Sequence, residues 1–275
     1  MRNDQEIRPI GIFDSGVGGL SILRAIRQQL PHETLLYFGD QGHVPYGSRP
    51  SEEILAFSHK ITQFLLGMGA KIIVVACNTA SAVALIDLRK RFPEIPFVGM
   101  EPAVKPAAEH TQTGVVGVLA TPATFQGELY ASVVERFADN VTLLQSTCTG
   151  LVQQIERGAL DTKKTRAILE SALNPMLDQG IDTVVLGCTH YPFVIPVIQE
   201  IVGPGVRVID PAPAVARQVA RMLDLHGIKA KREHSDLPLA YTSGKLLPFK
   251  SLLPKLIDLE CKVQKVRWEE GKILK

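Results

Sequence analysis

Two apolar runs of this chain end alike. Ile72-Ile73-Val74-Val75-Ala76-Cys77-Asn78-Thr79 and Thr183-Val184-Val185-Leu186-Gly187-Cys188-Thr189-His190 each run through aliphatic residues to a cysteine and then turn polar. Short apolar runs without polar alternation are the pattern of strands buried on both faces, the setting of a parallel sheet covered by helices. The runs around them recur in the same order. In the first half they are residues 9–14, 35–40, 71–77 and 96–100, and in the second 115–121, 141–147, 183–188 and 206–210. Their ends keep step: Asp14 and Thr121 lie 107 positions apart, Asp40 and Thr147 also 107, and Cys77 and Cys188 111. Any two flavodoxin-like domains would share a strand rhythm. A thiol at the matching strand end of both halves points to duplication.

Helical patterns separate these strands, so the class is α/β, with two pseudo-symmetric flavodoxin-like domains, mainly parallel sheets and a cleft between them. Met100-Glu101-Pro102-Ala103 and Ile209-Asp210-Pro211-Ala212 repeat an acidic-Pro-Ala exit and read as the crossings between domains. One domain is therefore expected at 102–210. The other is discontinuous, 1–101 plus 211–275, with a helical pattern at 212–226 and strands at 239–243 and near 263–268 rejoining it.

The rest of the composition narrows the function. A chain of 275 residues with 45% hydrophobic and 21% charged residues is ordinary globular material, and a net charge of +2 is no polyanion footprint, so no nucleic acid is required. No run approaches the roughly 18 apolar residues of a membrane span, and Met1-Arg2-Asn3-Asp4-Gln5-Glu6 has no apolar leader core, which predicts a cytoplasmic protein with no membrane partner. Cys77, Cys148, Cys188 and Cys261 form no CxxC pair. Reduced thiols are expected, with no disulfide framework and no metal site.

Ligands of open α/β sheets bind beyond the carboxyl ends of the strands, where Cys77 and Cys188 stand. Two thiols there suit a reaction that needs an acid and a base on opposite faces of a small molecule, as racemisation does. With each sulfur at about 3 to 3.5 Å from one carbon, the thiols would stand about 7 Å apart, far beyond disulfide reach. A thiol of ordinary pKa near 8.5 donates a proton readily but needs help to act as a base. Asp14 and His190 are the candidate tuning groups. Asp14-Ser15-Gly16-Val17-Gly18-Gly19 follows the first strand and opens a helix near Leu20, so its backbone N–H groups can face a carboxylate; a dinucleotide or P-loop fingerprint is not met. Asn78, Thr79 and Thr189 offer further donors. Tyr46 and Gly47 lie in a loop able to close over a ligand. Thr121 and Thr124 mirror the Asp14 turn and suit ligand orientation or helix capping equally. Cys148 and Cys261 lack equivalent settings and read as structural.

Four segments together, GIFDSGVGG at 11–19, VPYG at 44–47, ACNTAS at 76–81 and GCTHYP at 187–192, make the chain resemble the glutamate racemases of the cofactor-independent aspartate/glutamate racemase family over nearly its whole length. The resemblance implies an active site between two domains, no pyridoxal phosphate or metal, glutamate as the small-molecule partner, and D-glutamate supplied for bacterial cell-wall peptidoglycan and hence cell shape. It implies that Cys188 takes the proton from L-glutamate and Cys77 from D-glutamate. It further implies that Asp14, Glu156 and His190 assist the thiols, and that Asp14, Ser15, Tyr46, Gly47, Asn78, Thr79, Thr121, Thr124, Thr189 and His190 hold the substrate. Glu156 is singled out by the resemblance alone. A homodimer is compatible with the sequence, which does not set the oligomeric state. A racemase for aspartate or another small acid, a non-catalytic amino-acid-binding clamshell and a thiol redox protein are the competing readings; a pyridoxal-dependent racemase ranks below them.

Overall fold

A computed structural model describes residues 8–231 and 236–275; the polar leader segment Met1 to Glu6 lies outside them. The strands in chain order are β1 (Ile10–Asp14), β2 (Leu35–Gly39), β3 (Ile72–Val75), β4 (Phe97–Val98), β5 (Val115–Ala120), β6 (Thr142–Ser146), β7 (Thr183–Gly187), β8 (Arg207–Ile209), β9 (Leu239–Thr242), β10 (Lys262–Lys265), β11 (Arg267–Glu269) and β12 (Lys272–Leu274). One sheet has the order β10-β9-β2-β1-β3-β4 and a second the order β6-β5-β7-β8. Every pairing in both sheets is parallel. The core order β2-β1-β3-β4 of the first is thus repeated as β6-β5-β7-β8 in the second, strand for strand. The α/β class with mainly parallel sheets holds.

Continuous apolar sequence produces this arrangement because β1, β2, β3 and β7 are buried at every position and have no solvent face to mark with polar residues. The edge strands β6 and β8 are half-exposed, and their sequences carry Gln145 and Arg207. The equivalent edge of the first sheet, at β2, is covered by β9 and β10. After β4 the chain enters the helix Val104–His110, which packs on β7 and on the helix Glu128–Phe137; after β8 it enters the helix Ala212–His226, which packs on the helix Leu20–Gln29. One buried cluster runs from Ile12 and Val74 in the first sheet to Leu119 and Leu186 in the second, so the two sheets share apolar core.

The expected strand near 263–268 is two elements. β10 joins the six-stranded sheet, and after Val266 the chain turns away to form the antiparallel hairpin β11–β12. Glu270 and Gly271 both have positive φ, 46° and 71°, the backbone of a tight two-residue hairpin turn that a glycine at the second position favours. No helix among the described residues is long and apolar enough to cross a membrane.

Candidate active site

β1, β3, β5 and β7 direct their carboxyl ends toward one cavity between the sheets, lined by Ser15, Pro45, Tyr46, Gly47, Cys77, Asn78, Thr79, Thr121, Val152, Cys188, Thr189 and His190. It is small, about 20 Å³, room for about one water-sized molecule. Both strand-end cysteines line it, buried and unoxidised. Cys148 and Cys261 do not, and burial first pushes their thiols up to about 12 and about 11.

Cys77 caps the helix Asn78–Arg91: its sulfur accepts the Ala80 N–H at 3.4 Å and lies 3.9 Å from Ser15 Oγ. Burial above all, and then the neighbouring Asp14 carboxylate, push this thiol well above the usual cysteine range despite those contacts. Asp14 is fully buried at the end of β1; its Oδ2 accepts the Gly16 N–H at 3.0 Å and its Oδ1 accepts the Thr189 hydroxyl at 3.1 Å. Burial raises its pKa against the opposing pull of the His190 charge.

Cys188 has different company. Its sulfur lies 3.8 Å from His190 Nδ1, and His190 Nε2 lies 2.7 Å from Glu156 Oε1. Burial alone would lower His190, but its bonds to Cys188 and Glu156 outweigh that and hold the imidazole charged, well above the usual histidine range. Glu156 shows the converse balance. Burial would raise it, yet the bond and charge of His190, the Gln41 amide at 2.8 Å and the Val17 N–H at 2.7 Å together lower it. An imidazolium therefore points at Cys188, backed by a carboxylate.

The turn 14–19 receives this pair because it lacks side chains where the halves meet. A Cβ on Gly16 would fall within 2.8 Å of Glu156 Cδ, and one on Gly18 within 2.5 Å of His190 Nδ1. Thr79 and Thr121 hydroxyls meet across the cavity at 2.9 Å, and a Cβ on Gly47 would come within 2.8 Å of Thr121 Cβ. Asn78 is 3% exposed, and neither its Oδ1 nor its Nδ2 has a hydrogen-bond partner among the described residues, so its whole amide remains available to a ligand.

Ten of the residues singled out from the sequence line the cavity; Asp14, Glu156 and Thr124 stand behind it. Thr121 caps the short helix Pro122–Phe125 by accepting the Thr124 N–H, and the two hydroxyls share a hydrogen bond at 2.9 Å. Tyr46 donates its hydroxyl to Asp40 Oδ2 at 2.7 Å, which commits that group inside the protein. Sequence reasoning missed Val152 as a lining residue, Gln41 beside Glu156, and Asp40 as the acceptor of Tyr46, Ser243 and Trp268. Asp40 and Gln41 carried one usable signal, their position at a strand's carboxyl end. Among the described residues, no group of three or more His, Cys, Asp or Glu side chains is arranged to hold a metal ion, and the cavity lining contains no lysine to anchor pyridoxal phosphate.

A cavity between the two sheets, lined by a thiol from each of two equivalent strand ends, is the candidate site for a small molecule. Residues 10–219 match the family described as Asp/Glu/Hydantoin racemase, and the chain belongs to that family. The glutamate racemase of Roseiflexus sp. (strain RS-1) is 50% identical over 260 residues, 94% of this chain and 95% of its own. The crystal structure of Escherichia coli glutamate racemase, in complex with L-glutamate and the activator UDP-MurNAc-ala, superimposes with a TM-score of 0.84 at 32% identity, covering 98% of this chain and all of that one. The Francisella tularensis glutamate racemase in complex with D-glutamate gives 0.82 at 30% identity, over 95% and 98% of the two chains. The expectation of a racemase, an isomerase, stands.

Proposed function

We propose that this protein interconverts L- and D-glutamate by proton transfer between Cys188 and Cys77. The observation that carries the reading is that two buried thiols at equivalent strand ends of one cavity have opposite electrostatic surroundings, a charged imidazole beside Cys188 and a buried carboxylate beside Cys77. The substrate assignment is supported by the glutamate racemases that match the chain over nearly its whole length, two of them bound to glutamate.

In the L-to-D direction, the Cys188 thiolate, stabilised by His190, takes the α-proton. The electron pair left on Cα is delocalised into the α-carboxylate, where the Asn78 amide and the hydroxyls of Ser15, Thr79 and Thr189 can meet the developing charge. Cys77, kept protonated by burial and Asp14, gives its proton to the opposite face and is left as thiolate. In the D-to-L direction the two thiols exchange roles. Stabilisation is assigned to these donors and to the exclusion of water.

Space for about one water does not admit glutamate. The two sheets are read as the cores of two domains, 1–101 with 211–275 and 102–210, that part to load substrate and close for the reaction. The D-glutamate formed would serve peptidoglycan synthesis in the cytoplasm, as the resemblance implies.

The test incubates reduced protein with L- or D-glutamate in deuterated water without added cofactor, following optical rotation and the Cα–H resonance. Inversion with one deuteron entering at Cα is the expected result. Binding without inversion or exchange would overturn the proposal and favour the amino-acid-binding clamshell.

A further inference from the structure

We infer that Gln41 is a positioning residue for the Cys188 side of the site, holding Glu156 so that His190 is aimed at the sulfur. The inference rests on the reading of Cys188 as a proton-transfer group. Gln41 follows β2 in the first half of the chain and does not line the cavity, so it acts through others. Its amide is engaged at both ends. Oε1 accepts the buried Thr242 hydroxyl at 2.9 Å, and Nε2 donates to Glu156 Oε2 at 2.8 Å. The Thr242 oxygen in turn accepts the Gly244 N–H at 3.1 Å. A hydroxyl donating to Oε1 fixes which end of the amide carries the N–H groups, and those are the groups the carboxylate needs.

Glu156 Oε1 is already shared by the Val17 N–H and His190 Nε2, both at 2.7 Å, and among the described residues Gln41 is the one donor to the other oxygen. The Glu156 side chain is 10% exposed. Without Gln41 a nearly buried, charged oxygen would lose its donor, and a carboxylate in that position rotates or takes up a proton. Either response weakens the carboxylate behind His190 and the aim of Nδ1 at Cys188. The connection runs Gly244, Thr242, Gln41, Glu156, His190, Cys188, and it crosses between the halves at the Gln41–Glu156 bond. At the 107-residue offset the equivalent of Gln41 is Cys148, which has no such role beside Cys77. The device exists on one side of the site.

The test compares Gln41→Leu, Gln41→Glu and Thr242→Val with the parent for glutamate racemisation between about pH 6 and 8, with thermal melts to verify folding. Gln41→Leu is expected to lower kcat by about ten- to a hundred-fold with a smaller change in KM, the loss of a hydrogen bond to a charged group. Thr242→Val should lower it a few-fold. Gln41→Glu supplies the decisive readout: ionised it opposes Glu156, and protonated it donates to it, so its activity relative to the parent should rise as pH falls. Substrate deuteration gives a second. With the Cys188 step slowed, the isotope effect on kcat/KM should increase for L-[2-²H]glutamate and decrease for the D isomer. Parent-like activity in the Gln41 variants, or losses with a flat pH ratio and isotope effects that move together, would overturn the inference. Should Gln41→Leu not fold, the other two variants decide. Cys188→Ser, run in parallel, separates the failures: if it racemises at the parent rate, the two-thiol reading fails whatever Gln41 does.

Discussion

Cys77 and Cys188 occupy the same place in two copies of one strand order, yet their surroundings carry opposite charge. Cys77 sits at a helix N-terminus with Ser15, and burial together with Asp14 keeps its thiol protonated. Cys188 has His190, held in its charged form by Glu156. Repetition of the fold brings two thiols at equivalent strand ends to the lining of one cavity. The residues around them have diverged, and that difference suits the proposed two-thiol reaction, in which one group begins as acid and the other as base.

The largest effect that could break this comparison comes from the thiols themselves. Cys77→Ser and Cys188→Ser should each lower racemisation in both directions by about 10² to 10⁴-fold, the usual worth of a positioned acid or base. One-sided chemistry should survive selectively. Cys77→Ser should still exchange the Cα–H of L-glutamate with deuterated water, and Cys188→Ser that of D-glutamate. Either variant racemising near the parent rate, or exchange surviving on the wrong isomer, would remove the assignment of sides.

How much of this was legible before the structure depends on whether a signal is local. β1, β3, β5 and β7 are buried along nearly their whole length, so their apolar runs announced them, and the matching cysteines announced the site. The single strand expected near 263–268 failed because nothing in that run marks where pairing passes from the main sheet to the hairpin. Glu156 reached the site through family resemblance, since a glutamate in a helix usually faces solvent. Gln41 was not found because its meaning lies in an oxygen 115 residues away, and no pattern along the chain encodes that meeting. Tyr46 was seen as a loop aromatic, but its bond to Asp40 depends on tertiary placement.

A smaller effect sharpens the contrast at the glycines where the halves touch. An added Cβ at Gly16 meets the free end of the Glu156 side chain, which can move aside, whereas at Gly47 it meets Thr121 Cβ, which is tied to the backbone. Gly16→Ala should therefore displace the carboxylate from the Val17 N–H and His190, costing activity about ten-fold with little change in melting temperature. Gly47→Ala should force the halves apart and cost about 1–3 kcal/mol of stability as overpacking does. Thermal melts and kcat on the two variants check this, and equal losses of stability in both would contradict the distinction.

The smallest effect compares the two sides by pH. Glu156 is lowered from its ordinary 4.5, so its stabilising contribution is present above 4.5 and lost as pH falls through the folded value. His190 is raised from 6.5, so its contribution is present below 6.5 and lost as pH rises through the folded value. Between those two pH values both act in full. The melting temperature of the parent relative to Glu156→Gln/His190→Asn, which removes the pair together, should therefore climb from acid pH to a plateau across that window, by a few degrees. Asp14 on the Cys77 side is raised from 3.8, so its contribution is complete below 3.8 and is lost as pH rises. The parent relative to Asp14→Asn should accordingly fall over the same acid-to-neutral range. Opposite slopes are what oppositely charged surroundings require of two equivalent strand ends, and parallel slopes would mean that the asymmetry around the thiols does not extend to the energetics of the fold.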